Sequence, residues 1–567
     1  MVTFGIDFGT TNSVAAMNDS GLITIIPDEN GQSIIPSLVA VNKKGQVITG
    51  YHALCRIPSK DTHIIFSIKK ALGTPQKIKI HGKTFTPVDI SSFILKHIKK
   101  QIEVYVGHQV KNIVITSPAY FSINQRMALN KACWQAGFHV TDMINEPTSA
   151  ALAYGIDKGI DQNIVVYDLG GGTFDVSVIH NKNNKFQVLS VAGDNHLGGD
   201  DFDFQIVGVL TKRILKEFQL DILKNPAWVY PIKEMCEKVK IELSRKKKAS
   251  LDLSSLSIRS LEKYHFDLDR IEFNRLIYPL IKRTISLMNQ AILDATVHPQ
   301  QIDKVLLVGG STYIPLVREL IYQYFQKEIY IGLNPNECVA KGAAIHSSHQ
   351  KTEQKPDLKD IIPRSLGIEA EGGIFVPIIK KNSPVPICSA KIFAPMDRSQ
   401  KTVEIKIYQG ERIKASQNIF LGKLILEGFK TDQEECPKIE VRFQIDEKGL
   451  IHVKAMEKVT GKSVETEFRS VYDPSVKEGD KQDNPFDKRN LIHQFYLKRN
   501  IRSLLKQIDR MPLWAKQDRL IFKRALKTLL KNKEFSKIEY LLNTLSSDQE
   551  NKKQVYQEIL GNYWLKT

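Results

Sequence analysis

At 567 residues and a net charge of +18, the chain exceeds what one hydrophobic core supports, so roughly two to four domains are expected. With 42% hydrophobic and 25% charged residues it reads as an ordinary soluble protein, and no stretch approaches a membrane span. Six scattered cysteines with no Cys-x-x-Cys pair exclude a disulfide framework and a zinc site, and fit the reduced thiols of a cytoplasmic protein.

The chain opens directly into an apolar strand pattern, without a basic stretch and long apolar run, so it is expected to stay unexported. Across residues 1–349, short apolar strands at Val2–Ile6, Asn112–Thr116, Ile164–Tyr167 and Lys304–Val308 alternate with helical patterns, which predicts an α/β domain. Residues 350–364 open with the polar run QKTEQKPDLKDI and read as a linker. From 365 to 475 the period changes to two, in TVEIKIY (402–408) and IEVRFQI (439–445), and Asp446–Gly449 turns the latter into a hairpin with Leu450–Ala455. Residues 476–567 predict a basic helical tail, with apolar residues at helical spacing through Ile501, Leu504, Leu505 and Ile508. Over 481–567 there are 19 Lys and Arg against 9 Asp and Glu, which reads as solvated helix faces; no RNA-binding or basic-zipper signature supports DNA-specific binding.

A repeated loop carries the chemistry. GIDFGTTNS (5–13) is a strand ending in Asp7, then Gly9, Thr10, Thr11 and Asn12. IVVYDLGGGTFDVSVI (164–179) repeats the plan with Asp168, Gly170, Gly171, Gly172, Thr173 and Asp175. Such glycines let backbone N–H groups approach a polyphosphate, and the threonine hydroxyls add donors. Two matched loops imply two similar lobes gripping one nucleotide. The aspartates suit Mg²⁺, which binds oxygen and keeps several waters. Neither a P-loop nor a protein-kinase motif is present.

These loops, with SPAYF (117–121), NEPTSAALAYG (145–155), HLGGDDFD (196–203), EKVKIELS (237–244), LLVGGSTYIP (306–315), SLGIE (365–369) and YQGER (408–412), resemble the seventy-kilodalton heat-shock chaperones over roughly residues 1–470. The actin and sugar-kinase superfamily shares the paired loops but not the β-rich half. The resemblance implies a multidomain chain: an α/β actin-like ATPase domain of two lobes, then a β-sandwich peptide-binding domain and a short α-helical C-terminal lid. It implies ATP/ADP with Mg²⁺, and K⁺ as a further cation. Lys69 would position the attacking water, with Glu146, Asp168, Thr173 and Asp175 as catalytic partners and Asp7 and Asp168 holding the metal through water. Gly199, Glu237, Lys240, Ser244, Gly309, Gly310, Ser311 and Tyr313 would complete the nucleotide site, and Pro118 and Arg126 would relay nucleotide state to the second domain.

Peptide contacts implied by the same resemblance are Ile368, Glu371, Phe393, Met396, Val403 and Ile405, although periodicity alone reads the apolar ones as core. The acidic Glu371 predicts a preference for basic client segments. Within the family the chain is most similar to the HscA branch, through FNRLIYPLIKRTI (273–285), GGDDFD (198–203) and KAMEKVTG (454–461), which implies an iron–sulfur scaffold client. A general folding chaperone, or a degenerate nucleotide-binding holdase with weak coupling, are the alternatives; the loops alone also suit a small-molecule kinase. Departures concentrate at the join between domains. Pro356-Asp-Leu-Lys-Asp360 is expected to add a strand to the ATPase domain poorly. Asp142 stands where an arginine meets the J-domain cochaperone, and Asn130 replaces a relay lysine.

Overall fold

The computed structural model describes residues 2–468 apart from 56–61, 155–160, 184, 257, 262–263, 328–333, 350–356, 396–399, 401, 429–436 and 447–448. The expected helical tail, Pro356 and Met396 lie outside the described residues.

The loop repeat extends to whole sheets. In the first lobe, Thr3–Asp7 runs antiparallel to Asn12–Asp19, which pairs with Leu22–Ile26, while Asn112–Ser117 and then His139–Asn145 join in parallel on the other side. In the second, Gln162–Leu169 runs antiparallel to Phe174–Lys182, which pairs with Lys185–Asp194, and Lys304–Val308 lies parallel beside the first strand. Strands with both faces covered read as continuous apolar runs, and Ile164 to Tyr167 are fully buried. Two helices, Glu146–Ala153 and Cys338–His349, pack against each other on small residues: Ala150, Ala151, Ala340, Ala343 and Ala344 are all buried. A Cβ at Gly342 would strike the Ser149 backbone, and the Ser149 hydroxyl donates to Val339 O at 2.7 Å. Thr211–Val229 belongs to a second compact unit, where the turn Ile222–Lys224 is capped by Asp221.

The β-rich half is two four-stranded sheets, ordered Ile374–Ile379, Leu366–Ala370, Thr402–Gln409, Ile419–Glu427 and Ile387–Phe393, Ile439–Ile445, Ile451–Glu457, Ser463–Phe468. Alternation in IEVRFQI sends Ile439, Val441, Phe443 and Ile445 inward, where they meet Leu366, Ile368, Ile405 and Ile407 of the other sheet in one core. Each such side chain contributes about 2 kcal/mol on burial.

The linker corrects the sequence expectation. Asp357–Lys359 pairs in parallel with Lys185, Phe186 and Gln187, extending the second lobe's sheet to five strands. Three residues at a sheet edge suffice, because Leu358 packs on the lobe core and the proline falls ahead of the paired residues. Asp360 is half-buried and partnered: it accepts from Asn145 Nδ2 beside Arg126. Beyond it, Ile361 joins the lobe core and Ile362 the sandwich core. The sandwich also meets the start of the helix Ile123–Gln135: Ile123 enters the sandwich core, its N–H donates to Gln409 Oε1 at 3.2 Å, and Asn124 Nδ2 donates to Phe420 O. Among the described residues no helix is long and apolar enough to cross a membrane.

Candidate functional site

The two glycine loops face each other across a cavity of about 550 Å³. A Cβ at Gly171 would run into the Thr11 hydroxyl, so that glycine is required by the approach of the loops as well as by any ligand. The second loop is tied from behind: Gly199 N–H and the Ser311 hydroxyl donate to Gly170 O, each at 2.9 Å, and Asp200 N–H to Gly171 O at 2.7 Å. Its carbonyls are thereby engaged, which suits the loop to meet an anion with N–H groups.

Asp7, Lys69, Glu146, Asp168 and Thr173 line this cavity together with Gly9, Thr10, Thr11, Asn12, Gly170 and Gly171. Each acid sits at an element end: Asp7 and Asp168 close their strands, and Glu146 opens its helix. Lys69 is buried in the wall of this cavity. It is 2% exposed and donates to Glu146 Oε1 at 2.7 Å. Asp175 stands just behind, accepting from Tyr120 N–H at 2.9 Å. Gly172 contacts Thr10, and Gly199 approaches Ser311 and Lys240, so both support the wall.

The charges do not balance without a ligand. Burial, reinforced by Glu146, pushes the Asp7 and Asp175 carboxyls each up to about 7, and burial with Glu146, Asp175 and Asp7 drives Asp168 well above the ordinary range. Burial pulls Lys69 down, but Glu146, Asp7 and Asp168 raise it further, so it stays protonated. One lysine among four carboxyls, three of them buried, leaves a site that favours a cation. Among the described residues no three His, Cys, Asp or Glu side chains form a direct metal cage. The donor set fits a hard cation held through its own waters.

Toward the other end the cavity is lined by Glu237, Lys240, Ser244, Gly309, Gly310, Ser311 and Tyr313, as the sequence predicts, and also by Ile241, Arg245, Arg318 and Asn336, which it does not. Glu237 and Lys240 are held in place by a buried network. Lys233 Nζ lies 2.8 Å from Glu237, 3.0 Å from Asp200 and 3.2 Å from Asp203, and Lys240 Nζ lies 2.8 Å from Asp203. Ser67 and Lys70, on the turn carrying Lys69, reach across to Asp200 and Asp201. Thr116 was also missed; its hydroxyl donates to Asp7 at 3.1 Å.

Arg126 donates to the Pro118 and Ala119 carbonyls and to Asn145, so both expected relay positions meet near the linker. Asp142 is bonded to His346 Nε2 at 2.7 Å. In the sandwich, Ile368 and Ile405 are core residues with Phe393 and Val403 packed against them, whereas Glu371 is exposed on a turn.

Known proteins place the chain. A family model described as Hsp70 protein matches residues 3–78 and 74–558. The chain is 42% identical over 467 residues to the chaperone protein DnaK of Thermosipho africanus, covering 81% of this chain and 78% of that one. It is 42% identical over 468 residues to DnaK of Thermotoga neapolitana, and 41% identical over 468 residues to that of Thermotoga petrophila, with the same shares covered.

Proposed function

Because the chain belongs to the Hsp70 family and is an ATP-hydrolysing chaperone, we propose that its cleft hydrolyses MgATP to control how the β-sandwich holds extended segments of client proteins in the cytoplasm. The observation that carries this reading is the convergence of three carboxyls and Lys69 on two facing glycine loops in one cavity, with the Asp175 carboxyl just behind it.

In this reading the loop N–H groups and the Thr10, Thr11 and Thr173 hydroxyls bind the phosphates. Asp7 and Asp168 hold the hydrated Mg²⁺, which when bound neutralises phosphate charge and ionises the carboxyls around it. Lys69, fixed by Glu146, orients the attacking water, and Asp175 accepts its proton. Glu237, Lys240 and Ser244 hold the ribose, and Tyr313 covers the base. In the sandwich, Ile368, Phe393, Val403 and Ile405 border the client cleft.

Phosphate release from MgATP by the full chain, compared with Lys69→Ala and Thr173→Ala, tests the proposal. Loss of turnover in both is expected; turnover unchanged in both would refute the site. A general range of clients is the leading reading. An iron–sulfur scaffold client is favoured by one feature, the exposed acid Glu371, which suits a lysine-bearing segment. A J-domain cochaperone would meet an Asp142 already engaged by His346.

A further inference from the structure

The segment that enters the sandwich places Arg364 against the ATPase domain. Its guanidinium carbon lies 4.0 Å from the centre of the Tyr120 ring, and its Nε is buried with no hydrogen-bond partner among the described residues. The cation is thus committed to an aromatic face, where partial desolvation strengthens the attraction. Tyr120 is tied to the catalytic cleft: its backbone N–H donates to Asp175 Oδ1 at 2.9 Å, and its carbonyl accepts from Asn195 Nδ2 at 3.3 Å.

Two other polar contacts across the same join lie away from the cleft. Lys381 pairs with Asp294 at 2.7 Å, and Asn382 accepts from Val191 N–H at 3.4 Å. Among the described residues, the Arg364 contact is the one that touches a residue hydrogen-bonded to a carboxyl of the proposed hydrolytic site.

We infer that Arg364 is a positioning residue for hydrolysis: by clamping the Tyr120 ring when the sandwich is docked, it fixes the Tyr120 N–H on Asp175 and so ties client-controlled docking to turnover. The inference rests on the ATPase reading above and names the residue through which the second domain acts. The linker strand supplies attachment, and Arg364 supplies the contact that the cleft senses. Withdrawal of the sandwich removes the cation from the ring and frees the Tyr120 loop, with no change in the groups that bind nucleotide.

The test uses the full chain with Cys436→Ser, dye-labelled at the exposed thiols Cys55 and Cys388; the remaining cysteines, Cys133, Cys236 and Cys338, are buried. Energy transfer with MgATP reads docking, and phosphate release with and without a lysine-containing peptide reads coupling. Arg364→Ala is expected to lower the docked-to-undocked ratio about tenfold and to bring the rates with and without peptide together, with KM for ATP unchanged. Arg364→Lys, which keeps a cation, retains most of both signals. Tyr120→Leu reproduces the loss, and the double variant adds nothing to either single one. Unaltered docking in Arg364→Ala, or additive losses in the double variant, would overturn the inference. Absence of hydrolysis in the unsubstituted chain would instead overturn the ATPase reading, while the transfer signal still decides whether Arg364 and Tyr120 hold the domains together.

Discussion

Lys69 Nζ lies 2.7 Å from Glu146 Oε1, with the two side chains 2% and 8% exposed. The pair is the balance point of the cleft, since Asp7 and Asp168 also act on the same ammonium. Lys69→Ala leaves a buried carboxylate unopposed, a change that costs about 3 kcal/mol, and it removes the positioned cation, with turnover falling by about 10²-fold or more. Lys69→Met combined with Glu146→Gln removes both charges and is expected to recover the melting temperature without recovering turnover. Calorimetry beside phosphate release separates the two effects. A single variant that melts like the parent would show that the pair does not balance the cleft.

The raised carboxyls fix a pH dependence. Asp7 and Asp175 go from an ordinary value of 3.8 to about 7 in the fold. The folded chain therefore holds more protons than the unfolded chain between those values. Their contribution to stability is fully present below 3.8 and is lost as the pH rises through about 7. A cation with nucleotide needs the ionised forms, so MgADP is expected to raise the melting temperature more above pH 7 than below it. Asp7→Asn should stabilise the ligand-free chain on the alkaline side and shrink that difference. Equal MgADP shifts on both sides of pH 7 would contradict the assignment.

At the linker, Leu358 seats the strand Asp357–Lys359 on the lobe core while Asp360 meets Asn145 and Arg126. Leu358→Asp exchanges an apolar seat for a charge and is expected to release the strand at a cost of about 2 kcal/mol. Limited proteolysis between residues 350 and 364 should then quicken in the presence of MgATP. Unchanged cleavage would mean that the pairing with Lys185–Gln187 does not hold the linker.

What was legible in the sequence follows the range of the interaction. The glycine loops are readable because glycine, threonine and aspartate must stand together for phosphate chemistry. The sandwich strands are readable because period-two alternation is local, as in Ile439–Ile445. The linker strand was misread because its burial depends on one leucine and its charge on distant partners. Arg364, Thr116 and Arg318 carry no local signal: each acquires meaning from a residue that folding brings to it. Lys69 was placed by its surrounding motif rather than by its own character.

Glu371 stands exposed on the turn joining Leu366–Ala370 to Ile374–Ile379, a turn held by Gly372 and Gly373 at φ of 73° and 72°. A lone acid there attracts lysine-bearing peptides by a few-fold at low salt, and screening weakens the effect. Glu371→Ala is expected to equalise binding of lysine-containing and neutral peptides in fluorescence anisotropy, with affinity for the neutral peptide unchanged. Retained selectivity would place the discriminating charge elsewhere in the cleft.

The nucleoside end offers a test of a different kind. Tyr313 is 42% exposed at the cavity rim, and the Arg318 guanidinium lies 5.3 Å from its ring centre, held there by an Nε donation to Thr312 O at 2.9 Å. An aromatic ring backed by a cation is pre-set to stack on a purine, and because Arg318 fixes the ring, little ordering remains to be done on binding. The base is remote from the reacting phosphate, so this contact should act equally on the ground and transition states. Tyr313→Ala is therefore expected to raise KM for ATP about tenfold with kcat unchanged, and Tyr313→Phe to preserve both. Arg318→Ala should fall between, because the ring survives but loses its support. A drop in kcat with KM intact would show that Tyr313 acts on the chemistry instead, through the Gly309–Ser311 turn that borders the phosphate loop.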